Sequence, residues 1–389
     1  MAHEEIIITQ EQGGAKRVIL QVDGEDASWC WIVPFTIRVG AATVRMDGIG
    51  GVETKPEHRL KGYASRVLRR AVEEMTAGDA GITMLYGIRD FYHRFGYVTA
   101  GPEYALFLPS LSDEAPYPVG WSVREFTSQD LSAVQAVYER ATALATGAAV
   151  RAKDGGIWQK MLEAQGSYPQ DELWVAVSPD GEIEGYAWRA RWCWSIRYIL
   201  ESEFPNALAW GEVIALSPAA ADALLTFCRR RAKEEGKEEA LLPVPPDSVL
   251  AHAARYTDCR AVQMYSANGG SMVRVLDTWR LLKSLEPELS RQVRATGSNM
   301  PARQLTIRTE CGQAVLHVSS SGVEVLPEGG APQEVVVLPQ GTLARLTLGF
   351  APAGDLCARL PEPPTDGVIA LLEALFPSRY QHMYLPDRY

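Results

Sequence analysis

The clearest period in the chain lies between residues 64 and 75. Ala64, Val67, Leu68, Ala71, Val72 and Met75 stand at i, i+3, i+4, i+7, i+8 and i+11, which is one face of a helix. Ser65, Arg66, Arg69, Arg70, Glu73 and Glu74 take the other face, and Gly78 ends the run. Upstream the pattern is that of strands. EIIIT (5–9) reads as one, and WCWIVPFTIRVGAATVRMDGIGGVETK holds three apolar runs punctuated by glycine. Downstream, ITMLYG (82–87) is a strand, DFYHRFG (90–96) a short helix closed by Gly96, and YVTAGPEYALFLP a further strand pair. The first unit is therefore β-rich, with a helix after its central strand.

A second unit starts near Trp121. WSVREF is a strand, Thr127 with Asp130 forms a capping-box pattern, and LSAVQAVYERATAL is helical. LWVAVS and IEGYAWRA flank Pro179-Asp180-Gly181, a hairpin turn. WGEVIAL (210–216) is a strand, with Ser217 as N-cap and Pro218 opening the next helix. LLPV and SMVRVLD complete an order that parallels the first unit, so the pair reads as a diverged duplication. From about Leu285 a third unit opens with a short helix. QLTIRTE, QAVLHVSS, GVEVLP and EVVVLP follow as meandering strands, and DGVIALLEALFP is a terminal helix.

Composition narrows the function classes. With 389 residues, 47% hydrophobic and 22% charged, the chain has the makeup of a globular protein of two or three domains. No run long enough to span a membrane is present, nor the basic-then-apolar layout of a signal peptide, so a cytoplasmic protein with no membrane partner is expected. The six cysteines are far apart and form no CxxC pair, which suggests neither a metal site nor a disulfide framework. A net charge of −10 argues against nucleic-acid binding. It would favour cationic small molecules such as polyamines or aminoglycosides, although most of it serves solubility. Trp188, Trp192 and Trp194 read as strand packing and not as a stacking platform for bases.

PEHRLKGYASRVLRRA (56–71) begins that first helix oddly, because His58, Arg59 and Lys61 crowd its N-terminus. A helix start already carries partial positive charge, so basic residues there call for an anion. GxxxxGK[ST] and GxGxxG are both absent from the turn. What is present is Arg59-x-x-Gly62-x-Ala64 after the strand GVET. Gly62 allows close approach of a diphosphate, Ala64 avoids a clash at the helix start, and Arg59 and Lys61 supply charge. A basic surface turn is the plainer alternative.

The pattern resembles the acyl-CoA pyrophosphate loop of GNAT-type N-acetyltransferases, whose signature is Arg/Gln-x-x-Gly-x-Gly/Ala. IRDFYHRFGY (88–97) is similar to the IYxRFGY segment of the Eis-like (enhanced intracellular survival) family within that group. The resemblance implies a mixed α+β chain of two tandem GNAT-type domains followed by a sterol-carrier-like domain. The corresponding segments are 1–120, 121–284 and 285–389, the second degenerate because SPAAA stands where its phosphate loop would be. It also implies an acetyl-CoA-dependent N-acetyltransferase using no metal, acting on an aminoglycoside, polyamine or lysine-like amine, and assembling as a homo-oligomer such as a hexamer. Residue by residue, Tyr92 takes the place of the general acid and Tyr389 supplies a terminal carboxylate. Val52, Glu53 and Thr54 line the pantetheine. Arg59, Leu60, Lys61, Gly62, Tyr63, Ala64 and Ser65 hold the diphosphate, and Gly87 and Ile88 line the CoA.

One departure concerns the acceptor side. GNAT domains place one or two helices after their first strand, whereas QEQGGAKRVILQVDGEDASWC has no helical period. An open acceptor pocket, or one completed by another subunit, is expected. A rival reading is a non-catalytic protein that binds CoA or a small apolar ligand on the same fold. Tyr92 could instead be a packed aromatic beside Phe91 and Phe95, and the tail a frayed end. Glu53 is a candidate auxiliary base or a solvated strand residue, and His93 a surface histidine.

Overall fold

The structure is a computed structural model that describes residues 3–111, 116–167, 171–193, 200–265, 270–296, 302–328 and 334–389. Its contacts divide the chain into two compact units. The first comprises residues 1–101, 270–379 and Tyr389, and the second residues 102–269 and 380–388. Both helices and sheets are abundant, as expected of a mixed α+β chain.

The chain enters the first unit through β1 (Glu4–Gln10), β2 (Lys16–Val22), β3 (Glu25–Val39) and β4 (Ala42–Thr54). No α-helix intervenes between β1 and β4; a single 3-10 turn, Gln12–Gly14, lies there, in keeping with the missing helical period. Next come α1 (Tyr63–Ala77), β5 (Ile82–Gly87), α2 (Arg89–Tyr92) and β6 (Val98–Thr99). The apolar stripe of α1 buries Val67, Leu68, Ala71, Val72 and Met75 against Val18, Leu20, Cys30, Ile32 and Ile49 of the sheet. Burying an aliphatic side chain such as Leu68 stabilises by roughly 1.5–3 kcal/mol.

The second unit takes β7 (Glu103–Pro109), β8 (Ser122–Glu125), α3 (Leu131–Thr142), β9 (Thr146–Ala149), α4 (Gly156–Ser167), β10 (Leu173–Val177) and β11 (Ile183–Trp188). It continues with α5 (Glu201–Glu203), β12 (Ala207–Ala209), β13 (Glu212–Ala215), α6 (Pro218–Glu234), β14 (Glu239–Leu242), α7 (Val249–Ala254) and β15 (Arg260–Met264). Its sheets run β13-β11-β10-β8 and β12-β14-β7-β15. The expected caps are present: Thr127 N–H donates to Asp130 Oδ2 at 2.8 Å, and Ser217 Oγ accepts from Ala220 N. Buried Trp188 has its ring 6.4 Å from that of Trp192, while Trp194 lies outside the described residues. Residues 380–388 are tied in by a buried ion cluster. Arg151 donates to Glu212 Oε1 at 3.0 Å and to Asp387 Oδ1 at 2.9 Å, with its guanidinium 3.8 Å from the Tyr138 ring.

The first unit then resumes with β16 (Gly270–Val275), α8 (Thr278–Ala295), β17 (Arg303–Thr309), β18 (Gly312–Ser319), β19 (Gly322–Leu326) and β20 (Glu334–Val337). Three helices, α9 (Gln340–Thr347), α10 (Ala353–Cys357) and α11 (Asp366–Leu375), complete it. The first sheet runs β1-β2-β3-β4-β5-β16-β6, and the late strands form a second sheet ordered β19-β18-β17-β20.

Three sequence expectations are corrected here. YVTAGPEYALFLP is not one strand pair, because β6 joins β16 in the first unit and β7 joins β14 and β15 in the second. SMVRVLD, assigned above to the second unit, is β16 of the first, paired antiparallel with β5 from Gly270↔Gly87 to Val275↔Ile82. Strand partners so far apart in sequence leave no local signal. The short helix expected from Leu285 is the long α8, started by Asp277, whose side chain accepts from Arg280 N at 2.7 Å. It runs through Pro287 and so crosses the segment limit at 284–285.

Candidate active site

Three glycines near the end of β4, Gly48, Gly50 and Gly51, set the local geometry. β4 and β5 pair in parallel at Met46↔Ile82, Asp47↔Thr83 and Gly48↔Met84, and no further. Beyond Gly48 the two strands diverge, leaving a gap in the middle of the sheet. On its other side β4 pairs with β3 through a bulge, with Trp31 opposite Gly50 and Trp29 opposite Glu53. Gly51 in that bulge has φ 54°, and a Cβ there would lie 2.8 Å from Trp31 Cδ1. Glycine inside a strand often marks such a bulge or a close approach. Val52 and Thr54 are half-buried and Glu53 is exposed, with Glu53 O accepting from Ser28 Oγ at 2.9 Å.

After β4 the chain turns through Pro56–His58 and reaches α1 by a strained loop. Leu60 has φ 63° and its side chain is fully in solvent, an unusual state for a large apolar residue. Gly62 follows at φ 79° as the N-cap of α1, and no side chain caps the helix. The first intrahelical bond is Arg66 N–H to Gly62 O at 3.2 Å. The N–H groups of Tyr63, Ala64 and Ser65 therefore precede the ladder at an uncapped, half-open end. Tyr63 Oη donates to Glu4 Oε1 at 2.6 Å, and Arg66 pairs with Glu4. These two bonds, Tyr63 first, hold the Glu4 carboxyl below its ordinary range. Arg59 and Lys61 are different. Arg59 Nε reaches only Thr54 O at 3.3 Å and Lys61 Nζ only His58 Nδ1 at 3.5 Å. Among the described residues neither has a carboxylate partner. Lys61 acts on the Glu4 carboxylate only through space. An uncapped helix start beside two cations that lack an ion-pair contact can take an anion such as a diphosphate.

Past the gap, Gly87 ends β5 and Ile88 is exposed, its carbonyl accepting from the N–H groups of Phe91 and Tyr92 at 3.1 Å. The Tyr92 ring lies on Gly87, where a Cβ would come within 2.3 Å of Tyr92 Cε2. Tyr92 also packs edge-on against Phe91, with ring centroids 5.0 Å apart. Burial, with the nearby Cys30 thiol adding to it, pushes the Tyr92 phenol up to about 12. Tyr92 thus keeps its proton at any physiological pH. His93 is exposed, as a surface histidine would be.

Tyr389 reaches the same gap. Its hydroxyl donates to Met84 O at 2.8 Å, at the last pairing position of β5. Its ring stands where a Cβ on Gly48 would be, 2.2 Å from Cζ, and 4.9 Å from the Phe35 ring. Its main-chain carbonyl carbon lies 3.2 Å from where a Cβ on Gly50 would be. Tyr92 packs with the core on the α1 side of the sheet, whereas Gly48 and Gly50 alternate with Ile49 of that core and so face the opposite side. The gap therefore has a phenol on one face and the main-chain end of Tyr389 on the other. Cys30, Gly48, Gly50, Trp31 and Tyr86 escaped the sequence reading. The run GIGG inside a strand was the available signal for two of them.

Comparison with known proteins bears on the fold. Residues 9–100 match the family described as acetyltransferase (GNAT) domain. No curated protein matches the chain. Among solved structures, a GCN5-related N-acetyltransferase from Kribbella flavida is 19% identical, with 96% of this chain and 87% of that one covered at a TM-score of 0.69. A GCN5-related N-acetyltransferase from Anabaena variabilis is 18% identical, with 96% and 89% covered at 0.71. Eis1 from Mycobacterium abscessus is 18% identical, with 98% and 92% covered at 0.62. The chain thus carries a GNAT acetyltransferase domain and shares its fold, nearly end to end, with Eis1. Among the described residues no cluster of potential metal ligands occurs, and no helix is long and apolar enough to cross a membrane.

Proposed function

From a GNAT acetyltransferase domain on an Eis-like fold, we propose that this protein is an acetyl-CoA-dependent N-acetyltransferase that transfers the acetyl group directly to a bound amine. The observation that carries the proposal is the gap between β4 and β5, opening beside an uncapped helix start where Arg59 and Lys61 make no ion-pair contact among the described residues. These features fit a long thioester whose diphosphate lies at residues 59–65 and whose pantetheine arm runs along Val52, Glu53 and Thr54 toward Gly87 and Ile88.

In the reaction the amine nitrogen forms a bond to the acetyl carbon and the carbon–sulfur bond breaks. The amine loses a proton and the departing thiolate gains one. Backbone N–H groups of the bulged strand near Val52 would stabilise the oxyanion. Tyr92 is the proton donor, and its raised phenol makes it a hydrogen-bond donor that stays neutral. An ordinary thiol titrates near 8.5, so full transfer from Tyr92 requires that burial also raise the thiol. The main-chain carboxylate of Tyr389, if the chain ends there, would orient the amine or relay its proton through water. A carboxylate of ordinary pKa is a weak base for direct abstraction.

We also propose that residues 121–284 descend from a second, degenerate GNAT-type domain, that residues 285–389 are sterol-carrier-like, and that the protein is a cytoplasmic homo-oligomer. A second reading, an apolar-ligand carrier, draws on a cavity of about 770 Å³ between β20 and Pro361–Thr365, lined by Val335, Val337 and Leu360. Acetyl-CoA turnover against a panel of amines tests the first reading. Release of free thiol that depends on the amine supports it, and tight acetyl-CoA binding without transfer to any amine refutes it. Extraction of an apolar ligand from pure protein would support the second.

A further inference from the structure

Strand β20 closes the sheet β19-β18-β17-β20 and has a partner on one side only, the parallel strand β17. Just past it, Leu338 N–H donates to Arg308 O at 2.9 Å, so Leu338 turns its main chain toward β17. The N–H and C=O groups of successive residues in a strand point to opposite sides. Val336 therefore also faces β17, whereas Val335 and Val337 turn their N–H and C=O groups off the edge of the sheet. Among the described residues neither has a main-chain partner on that side. Both side chains are also open to solvent, Val335 at 42% and Val337 at 64% exposure. An edge of this kind is a template for a further strand.

The edge looks into the cavity of about 770 Å³ whose opposite wall is Pro361–Thr365. Pro361, Pro363 and Pro364 have no N–H, so that wall cannot itself pair with Val335 and Val337 as a strand. The apolar lining includes Val336, Leu338, Leu360 and Val368. The charged lining residues are Glu310, Glu334 and Glu362, with no lysine or arginine beside them. Glu334 is engaged by Arg303 at 2.8 Å. Glu310 accepts from Gln340 N–H at 2.9 Å, and among the described residues neither it nor Glu362 has a cationic partner. Arg308, beside Val337 on β17, is held by Gln313 Oε1 at 3.2 Å and does not line the cavity. A purely apolar occupant that displaced water would leave the outward groups of Val335 and Val337 unpaired, at a cost in free energy. A fatty-acid carboxylate would meet only carboxylates. An added strand satisfies the edge, and positive side chains on it satisfy Glu310 and Glu362.

We infer that β20 is a docking edge for an extended, basic peptide segment of a partner protein. The segment adds as the next strand beside Val335 and Val337, sets apolar side chains over Val336 and Leu338, and turns Lys or Arg to Glu310 and Glu362. Glu334–Val337 spans about 13 Å, so about four or five peptide residues cover it. The test follows a fluorescent, end-blocked pentapeptide of alternating arginine and valine by anisotropy with the full chain. This probe carries no amine and so cannot serve as an acetyl acceptor. It is expected to bind at least tenfold more tightly than a glutamate–valine pentapeptide. It should also exceed, by at least tenfold, the same peptide methylated on every main-chain nitrogen, which keeps the side chains but cannot donate to the edge. Val337→Pro removes only an outward N–H, leaves the β17 side intact and should weaken the probe at least tenfold. Glu362→Lys should weaken it as well, and stands in if the proline variant does not fold. Absence of probe binding overturns the inference, as does equal affinity of the methylated peptide or unchanged affinity in either folded variant. Tighter binding of palmitate or dodecylamine that excludes the probe also overturns it, and gives the cavity to an apolar ligand.

Discussion

Gly48→Ala perturbs Tyr389 without replacing any polar side chain. A Cβ at position 48 would sit 2.2 Å from Tyr389 Cζ, 2.4 Å from Cε2 and 2.6 Å from Cε1. Carbon atoms rest at about 3.5–4.0 Å, so the ring must retreat by at least about 1.3 Å. It is confined by Phe35 at 4.9 Å and by its own bond to Met84 O at 2.8 Å. A retreat of about 1.3 Å along that bond stretches it beyond hydrogen-bond range and forfeits about 0.5–1.5 kcal/mol. With overpacking, the loss of stability should total about 1–3 kcal/mol, measured by urea unfolding. The main-chain end of Tyr389 moves with its ring. Misplacing a reacting group by about 1 Å can cost about 10²-fold, so kcat should fall about 10–100-fold while acetyl-CoA affinity changes little. If the chain ends at Tyr389, extending it by a few glycines shifts the same atoms by another route and should lose transfer to a similar extent. If Gly48→Ala and the extended chain both turn over at the parent rate, the end of Tyr389 has no part in the chemistry, and Glu53 is the next residue to mutate.

Gly62→Glu should abolish acetyl-CoA binding in calorimetry, because a side chain is strained at φ 79° and its charge opposes the diphosphate; unchanged affinity in the folded variant would make the loop a plain surface turn. Tyr92→Phe should lower kcat about 10²–10⁴-fold with acetyl-CoA affinity intact. A change under threefold, with chemistry limiting, returns Tyr92 to packing. Asp47 is a half-buried carboxyl raised to about 6 by burial and by Asp79. Its folded form holds a proton that the unfolded form releases near 4, so wild-type stability should decline as pH rises from about 4 to 6. Asp47→Asn should remove that decline and gain on the order of 1 kcal/mol above pH 6 after solvent screening. Parallel pH–stability curves for the two proteins would refute it.

What the sequence made legible was local. The stripe from Ala64 to Met75 and the run ITMLYG needed only their own periodicity, and the elements Tyr63–Ala77 and Ile82–Gly87 match them closely. The glycine turn that opens this helix was readable because helix polarity and glycine act over a few residues. Pairing was not readable. Nothing within SMVRVLD says that it belongs beside Ile82–Gly87, since a strand's partner is chosen by burial across the whole chain. The short helices α9 and α10 were missed because segments of this length carry too little periodic signal. The glycines of GIGG looked like punctuation, and their use as a seat for Tyr389 depends on a contact spanning 341 residues, from position 48 to 389.

The order β5-β16-β6 also bears on how the protein is made. β5 ends at Gly87 and β16 begins at Gly270, 183 residues later. At about 5–20 residues per second, the ribosome needs roughly 10–35 s to deliver the strand that belongs between β5 and β6. Throughout that interval Ile82–Gly87, an almost wholly buried apolar segment in the finished protein, shows one bare edge to solvent. Such an edge is a template for pairing with the wrong strand, including the same strand on a neighbouring nascent chain of a polysome. The yield of active protein should therefore follow translation speed across residues 88–269 more closely than it follows the stability of the finished fold.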